Sequence, residues 1–236
     1  MITEVRISLI NFKIKMNTLK INSIKKITPD VLQIRTSKPS DLDFKPGQAT
    51  ELFINKEGWK EEGRPFTFTS LPEENYLEFV IKTYPDHNGV TEQLLDLKEG
   101  DEFLQTDIFG NIYFREPGIF IAGGAGLTPL IAILRNRHKH GDGNENNKLI
   151  FANKTAKDII LKDELENMLG SNFINILSDE KTDPYAHGHI DQTFLKKHIL
   201  NLQQKFYVCG PEPMIESVVN DLKQLGVSDE HIIVEE

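Results

Sequence analysis

The sequence predicts two domains: an antiparallel β-barrel followed by an α/β domain built on a parallel sheet. Three observations predict this. The first half carries short β-branched and aromatic runs at regular spacing, punctuated by proline and glycine. The second half alternates apolar strand-like runs with helical runs, as βαβ units do. The pattern changes near Arg115–Gly118, which places the boundary between residues 1–116 and 117–236.

In the first half the expected strands are Leu19–Ile27, Val31–Thr36, Ala49–Ile54, Phe66–Thr69, Leu77–Thr83 and Glu102–Ile108. Pro39, Pro46-Gly47, Gly58, Pro65 and Pro72 separate them, and only Val90–Leu97 reads as helix. Short strands at such spacing suggest a closed barrel. In the second half the expected order is strand Ile119–Ala122, helix Pro129–Arg137, strand Leu149–Ala152, helix Asp158–Leu169 and strand Phe173–Leu177. Helix Gln192–Ile199, strand Phe206–Cys209, helix Glu212–Leu225 and strand Ile232–Val234 complete it. In the last helix Ile215, Val218, Val219, Leu222 and Leu225 share one face, and Gly226 follows as a stop.

Composition excludes several classes. The 236 residues include 39% hydrophobic and 27% charged residues, a globular balance with enough apolar material for two cores. A formal charge of −9 argues against nucleic acid as a partner, since phosphate binding needs clustered Lys and Arg. The single cysteine, Cys209, rules out an intrachain disulfide framework and any multi-cysteine metal or iron–sulfur site. A reducing, cytoplasmic location is the expectation. No signal peptide is read at the N-terminus, and residues 1–15 read as an extension or a mis-set start ahead of Met16. Pro117–Leu134 is uncharged and reaches the ~18 residues of a membrane span. Gly123, Gly124, Gly126 and Pro129 interrupt it, so strand, turn and helix is the better reading, and no span is expected.

Four short motifs are candidates for chemistry. Gly89-Val90-Thr91 opens a short helix, where unpaired N–H groups suit a phosphate; an ordinary capped helix is the alternative. Gly123-Gly124-Ala125-Gly126-Leu127-Thr128-Pro129 joins a buried strand to a helix and suits a nucleotide. Thr128 is expected at the N-cap and Pro129 at the first helical position. It departs from the G-x-G-x-x-G fingerprint, and a plain tight turn remains open. Cys209-Gly210-Pro211 follows a sheet strand at its carboxyl end, where open α/β sheets place ligands; a buried cysteine before a turn is the alternative. Arg64-Pro65-Phe66-Thr67 sets an arginine and a hydroxyl beside an aromatic, which suits a phosphate and a stacked ring, or an edge strand with a solvated arginine. His138, His140, His187 and His189 read as solvated loop histidines, and no nucleophile elbow is present.

Taken in chain order, RPFT at 64–67, GVT at 89–91, GGAGLTP at 123–129 and CGPEPM at 209–214 resemble the ferredoxin–NADP reductase superfamily over nearly all of residues 17–236. Gly188-His189-Ile190-Asp191 resembles a further turn of reductase members. The resemblance implies a flavin-binding barrel and an NAD(P)-binding α/β domain. It implies that Arg64, beside Pro65, contacts the flavin phosphate, and that Phe66 stacks on the isoalloxazine where the family usually has Tyr. Thr67 would hydrogen-bond near flavin N5. Gly89, Val90 and Thr91 would supply N–H groups to the flavin phosphates. Gly123, Gly124, Ala125, Gly126 and Thr128 would cradle the nicotinamide nucleotide. Cys209, with Gly210 and Pro211, would lie beside the nicotinamide as a positioning group rather than a nucleophile. Thr67 and Cys209 are thus the expected catalytic residues. Many members end in an aromatic covering the other flavin face; here Val234-Glu235-Glu236 stands there.

The activity so implied is NAD(P)H-dependent reduction of a tightly held FAD, or of FMN, with electrons passed onward. No cysteine set for an iron–sulfur domain is present, so a separate acceptor is expected, such as flavodoxin or ferredoxin. Its docking face should be locally basic, with Lys13, Lys15, Lys20, Lys25 and Lys26 as candidates. Lys154 would favour NADPH and Asp158 NADH, which leaves the donor open. The alternatives are a flavin reductase that releases reduced flavin and a non-catalytic nucleotide-binding or electron-carrier subunit. Retention of flavin on desalting separates them.

Overall fold

A computed structural model describes residues 16–141 and 146–235. The expected extension at residues 1–15, with Lys13 and Lys15, lies outside the described residues. In the first half β1 (Asn17–Thr28), β2 (Val31–Ser37), β3 (Ala49–Ile54), β4 (Arg64–Thr67), β5 (Tyr76–Lys82) and β6 (Glu102–Phe109) pair antiparallel in the order β4-β3-β6-β1-β2-β5. The two edges meet beyond β4, where the Thr69 N–H donates to the Glu78 carbonyl at 2.8 Å. That contact closes the barrel. Alternation along the strands turns Leu19, Ile21, Ile34, Leu52 and Phe103 inward onto Phe68 and Phe79. Each such side chain contributes about 1.5–3 kcal/mol by leaving water.

In the second half β7 (Gly118–Gly123), β8 (Lys148–Asn153), β9 (Phe173–Leu177), β10 (Ala186–His187), β11 (Lys205–Cys209) and β12 (Ile232–Val234) form a parallel sheet. Its order is β10-β9-β8-β7-β11-β12. Helices α2 (Leu127–Lys139), α3 (Lys162–Leu169), α4 (Gln192–His198) and α5 (Glu212–Gln224) connect these strands; α1 (Val90–Gln93) belongs to the first half. Every residue of β7 is buried, as a central strand covered on both faces requires. The chain passes from β7 to β8 on one side and later returns with β11 on the other. The strand order therefore reverses beside β7, and a crevice opens at the carboxyl ends of β7 and β11.

Three elements differ from expectation. The Val90–Leu97 helix is α1 followed by a 3-10 turn at Leu94–Asp96. The Asp158–Leu169 helix begins only at Lys162. Asp158 and Thr155 instead close a capping box over a short turn at Ala156–Asp158, and Leu161 takes φ +53°. Strand β10 was not anticipated; two residues carry no period. The uncharged Pro117–Leu134 run is β7, a glycine turn and α2, and no helix among the described residues is long and apolar enough to cross a membrane.

The halves share a seam. Val31 and Val80 of the barrel and Ile112 of the linker lie in one apolar cluster with Leu130, Ile131 and Leu134 of α2. Arg135 of α2 reaches across it, donating from Nη1 to Glu78 Oε1 and to the Thr69 carbonyl, each at 2.7 Å. The buried Tyr207 hydroxyl accepts from the Arg115 N–H at 2.9 Å and the Glu116 N–H at 3.1 Å, and donates to the Glu116 carbonyl at 2.8 Å. The segment between β6 and β7 is thereby fastened to the parallel sheet.

Candidate functional site

The structure sets the expected residues at three places. The first is β4. Arg64 is half exposed; its Nη1 donates to the Gly63 carbonyl at 2.6 Å and stands 3.9 Å from Glu62. Pro65 is exposed, and Phe66 and Thr67 are partly buried. Phe66 packs one side against the barrel core.

The second is the start of α1. Gly89 is its extended N-cap, with no side-chain cap, and Val90 is buried in the same barrel core that supports Phe66. The first helical N–H groups, those of Val90 and Thr91, have no intrahelical acceptor by position. A Cβ at Gly89 would meet only the His87 carbonyl, at 3.8 Å.

The third is the crevice at β7 and β11. A 3-10 turn over Gly124–Gly126 leads into α2, whose N-cap is Gly126. Thr128 is therefore not the N-cap. Its Oγ1 donates to the Ala125 carbonyl at 3.1 Å, and Pro129 lies within the first turn, where a missing N–H costs nothing. The glycines start the helix earlier than the Thr-Pro pair suggested.

Those glycines also serve a purpose beyond approach to a ligand. A Cβ at Gly126 would overlap the Cys209 carbonyl oxygen and lie 2.5 Å from Cys209 C and Gly210 N. A Cβ at Gly123 would collide with Met214 Sδ and stand 3.1 Å from Pro211 Cδ. The glycine turn and the Cys209-Gly210-Pro211 turn are thus packed backbone to backbone. Gly124 is different: φ is +51°, and its missing side chain would point into open space. The cradle faces outward there.

Cys209 is 3% exposed, and its Sγ donates to Glu235 Oε2 at 2.7 Å. Burial, then the adjacent Glu235 carboxylate, pushes the thiol far above its ordinary range. It is a neutral hydrogen-bond donor, consistent with positioning rather than attack. Ellman's reagent is expected to leave Cys209 unmodified in the native protein and to titrate it fully in denaturant. Immediate reaction of the native protein would contradict this burial. Glu235 was invisible as a partner in the sequence, because 26 positions separate the pair.

Other expected residues fall outside these places. Lys20, Lys25 and Lys26 are exposed on β1. Asp158 accepts from the Thr155 N–H and hydroxyl at 2.9 and 2.8 Å, and Glu180 accepts from the Ala156 N–H at 2.8 Å. Two carboxylates therefore meet at the turn after β8, its own Asp158 and Glu180 from the segment after β9, with Lys154 exposed beside it. His187 is not simply solvated: its Nδ1 lies 3.1 Å from the Leu177 and Glu180 carbonyls, holding β10 to β9. No group of three or more His, Cys, Asp or Glu among the described residues is placed to hold a metal.

Residues 14–108 match the model of an FAD-binding domain, and residues 120–220 that of an oxidoreductase NAD-binding domain. The chain is 27% identical over 232 residues to the reductase component of propane 2-monooxygenase from Rhodococcus jostii, covering 90% of this chain and 61% of that one. It is 32% identical over 210 residues to NADH-cytochrome b5 reductase 1 from Aspergillus terreus, covering 80% and 70%. Its fold matches the flavohem-like FAD/NAD-binding domain of nitric oxide dioxygenase from Vibrio cholerae with a TM-score of 0.83 at 23% identity, covering 92% and 96%. The chain spans 61%, 65% and 62% of the first three curated relatives it matches.

Proposed function

Because the chain belongs to the ferredoxin–NADP reductase superfamily, with an FAD-binding half and an NAD-binding half, we propose that it moves electrons from a reduced nicotinamide nucleotide through FAD to a separate redox protein. The boundary between the halves is taken at residues 116/117. The observation that carries this reading is the backbone packing of Gly123-Gly124-Ala125-Gly126 on Cys209-Gly210-Pro211 at the sheet's switch point. A bound flavin supplies the conversion of a two-electron donor into single-electron delivery.

The chain's own residues fit the group. Arg64 offers an exposed guanidinium to a phosphate, and Phe66 offers a ring supported from behind. Thr67, next along β4, brings a hydroxyl to the ring's edge. The Gly89, Val90 and Thr91 backbone gives N–H donors to the pyrophosphate, which favours FAD over FMN. Across the crevice Gly124, Ala125 and Thr128 face the nucleotide, while Gly123 and Gly126 hold the cradle closed. Cys209, neutral and with its one proton given to Glu235, is a positioning group beside the nicotinamide.

For the donor the reading is NADH. The ribose next to adenine lies past the second strand of such a sheet, here β8. Asp158 and Glu180 stand there, and a 2′-phosphate would meet two carboxylates. The acceptor is a one-electron protein such as a ferredoxin, a flavodoxin or cytochrome b5. Relatives named as reductases of propane monooxygenase and of cytochrome b5 support an acceptor on another chain.

Anaerobic titration of the desalted protein tests the proposal. The expected result is a yellow protein bleached by NADH and far more slowly by NADPH. A yellow protein that neither donor bleaches would overturn it. Arg64→Ala is expected to raise the FAD dissociation constant about 10- to 100-fold, losing a charge-assisted contact of roughly 1.5–3 kcal/mol. Equilibrium dialysis reads this, and unchanged retention would remove Arg64 from the site.

A further inference from the structure

Arg135 makes four hydrogen bonds to three elements. Nη1 donates to Glu78 Oε1 of β5 and to the Thr69 carbonyl just past β4. Nε and Nη2 donate to the two oxygens of Glu164 on α3, at 2.5 and 2.8 Å. Arg35 adds a second bond to Glu78, from Nε to Oε2 at 2.9 Å. Glu78 is 1% exposed, so the two guanidiniums, the largely buried Arg135 and the half-exposed Arg35, neutralise a carboxylate sealed in the barrel wall.

The attachment points matter more than the charge. Arg135 lies on α2, the helix that opens at the Gly123–Thr128 turn. Thr69 lies two residues past Thr67, the last residue of the strand that carries Arg64 and Phe66. Glu78 is on β5, which leads to Gly89. One planar side chain therefore joins the nucleotide turn's helix to both segments of the barrel that face the flavin. Elsewhere the seam is apolar contact, which resists separation but does not fix an angle, and one exposed cluster at the end of α2, where Lys139 and His140 lie 2.9 and 3.2 Å from Glu73; solvent screens that pair and leaves it a weak constraint. On the Arg135 side a groove of about 610 Å³ opens between β5 and α3, so packing does not set the angle there either. A guanidinium fork fixes direction as well as distance.

We infer that Arg135 and Glu78 form a strut that sets the angle between the two halves, and so acts as a positioning pair for the meeting of nicotinamide and flavin rings. This deepens the reductase reading and rests on it for its kinetic consequence. Neither residue touches the reacting atoms; both act through the elements they join.

The test uses Arg135→Met with Glu78→Met, which removes the strut without leaving a buried charge alone. Arg135→Lys, which keeps Glu78 paired but loses the fork, repeats each measurement under the same criteria. Spin labels are placed on the exposed positions Glu61→Cys and Glu216→Cys, and the interdomain distance distribution is read in parent and variants with FAD bound. Unlabelled proteins are mixed with NADH in an anaerobic stopped-flow instrument. The expected result is a broader distribution and hydride transfer slowed about 10- to 100-fold with FAD retained, the scale of a 1 Å misplacement. A distribution as narrow as the parent's, or an unchanged rate, overturns the inference. A parent protein that neither nucleotide reduces defeats the proposed function instead, and the distance distribution then decides the strut alone.

Discussion

Gly126→Ala is expected to weaken binding of the nicotinamide nucleotide about 100-fold while FAD stays in place. The added Cβ meets the Cys209 carbonyl group and Gly210 N, all of them backbone atoms. No side chain can swing aside, so the two turns must part. Overpacking of this kind costs about 1–3 kcal/mol in stability, and the displaced N–H groups no longer converge on one ligand. Gly124→Ala separates the two causes: its Cβ meets no protein atom, so the fold bears only the roughly 1–2 kcal/mol of a left-handed conformation, and further loss of affinity comes from the methyl entering the space given to the nucleotide. Calorimetric titration with the oxidised nucleotide measures both. Full affinity in Gly126→Ala would show that the packed turns are not the nucleotide site.

The second large effect falls on stability. Glu78→Ala is expected to lower the unfolding free energy by about 1.5–3 kcal/mol, because Arg135, itself 15% exposed, keeps Glu164 but loses its charged partner across the seam. Burial alone would raise the Glu78 carboxyl; the Arg135 charge, its hydrogen bond and that of Arg35 outweigh it and hold the group below the usual carboxylate range. A depressed carboxyl stabilises the folded state above its ordinary value, and that contribution is lost as pH falls through the folded value. Urea unfolding should therefore show a steep acid loss in the parent protein and a flatter one in Glu78→Gln. A cost below about 1 kcal/mol in Glu78→Ala would mean that the pair is compensated elsewhere.

Much of this architecture was legible because apolar periodicity and proline or glycine punctuation are local. The strands of both sheets fell where β-branched runs predicted them, with β10 the exception at two residues. What failed depends on backbone angles that periodicity does not encode. Ile159 and Ile160 are buried and look like helix, yet Leu161 at φ +53° delays α3. Thr128-Pro129 imitates a helix start, but the glycines before it permit an earlier turn. The motifs of the candidate site were readable as short words; their mutual packing was not. The strut was hidden by distance, since 57 positions separate Arg135 from Glu78. One signal was present: Glu78 interrupts Leu77, Phe79, Val80 and Ile81, and a charge inside an unbroken apolar run asks for a buried counter-charge.

The apolar cluster that runs from Val31 and Val80 through Ile112 to α2 bears on how this chain can be recombined. A chimera joining one relative's first half to another's second half would inherit mismatched side chains across a buried surface, and a buried carboxylate facing whatever residue replaced Arg135. Junctions within the linker are therefore poor crossover points on their own. A productive exchange has to carry Glu78, Arg135 and the facing apolar residues together, as one heritable block spanning both halves.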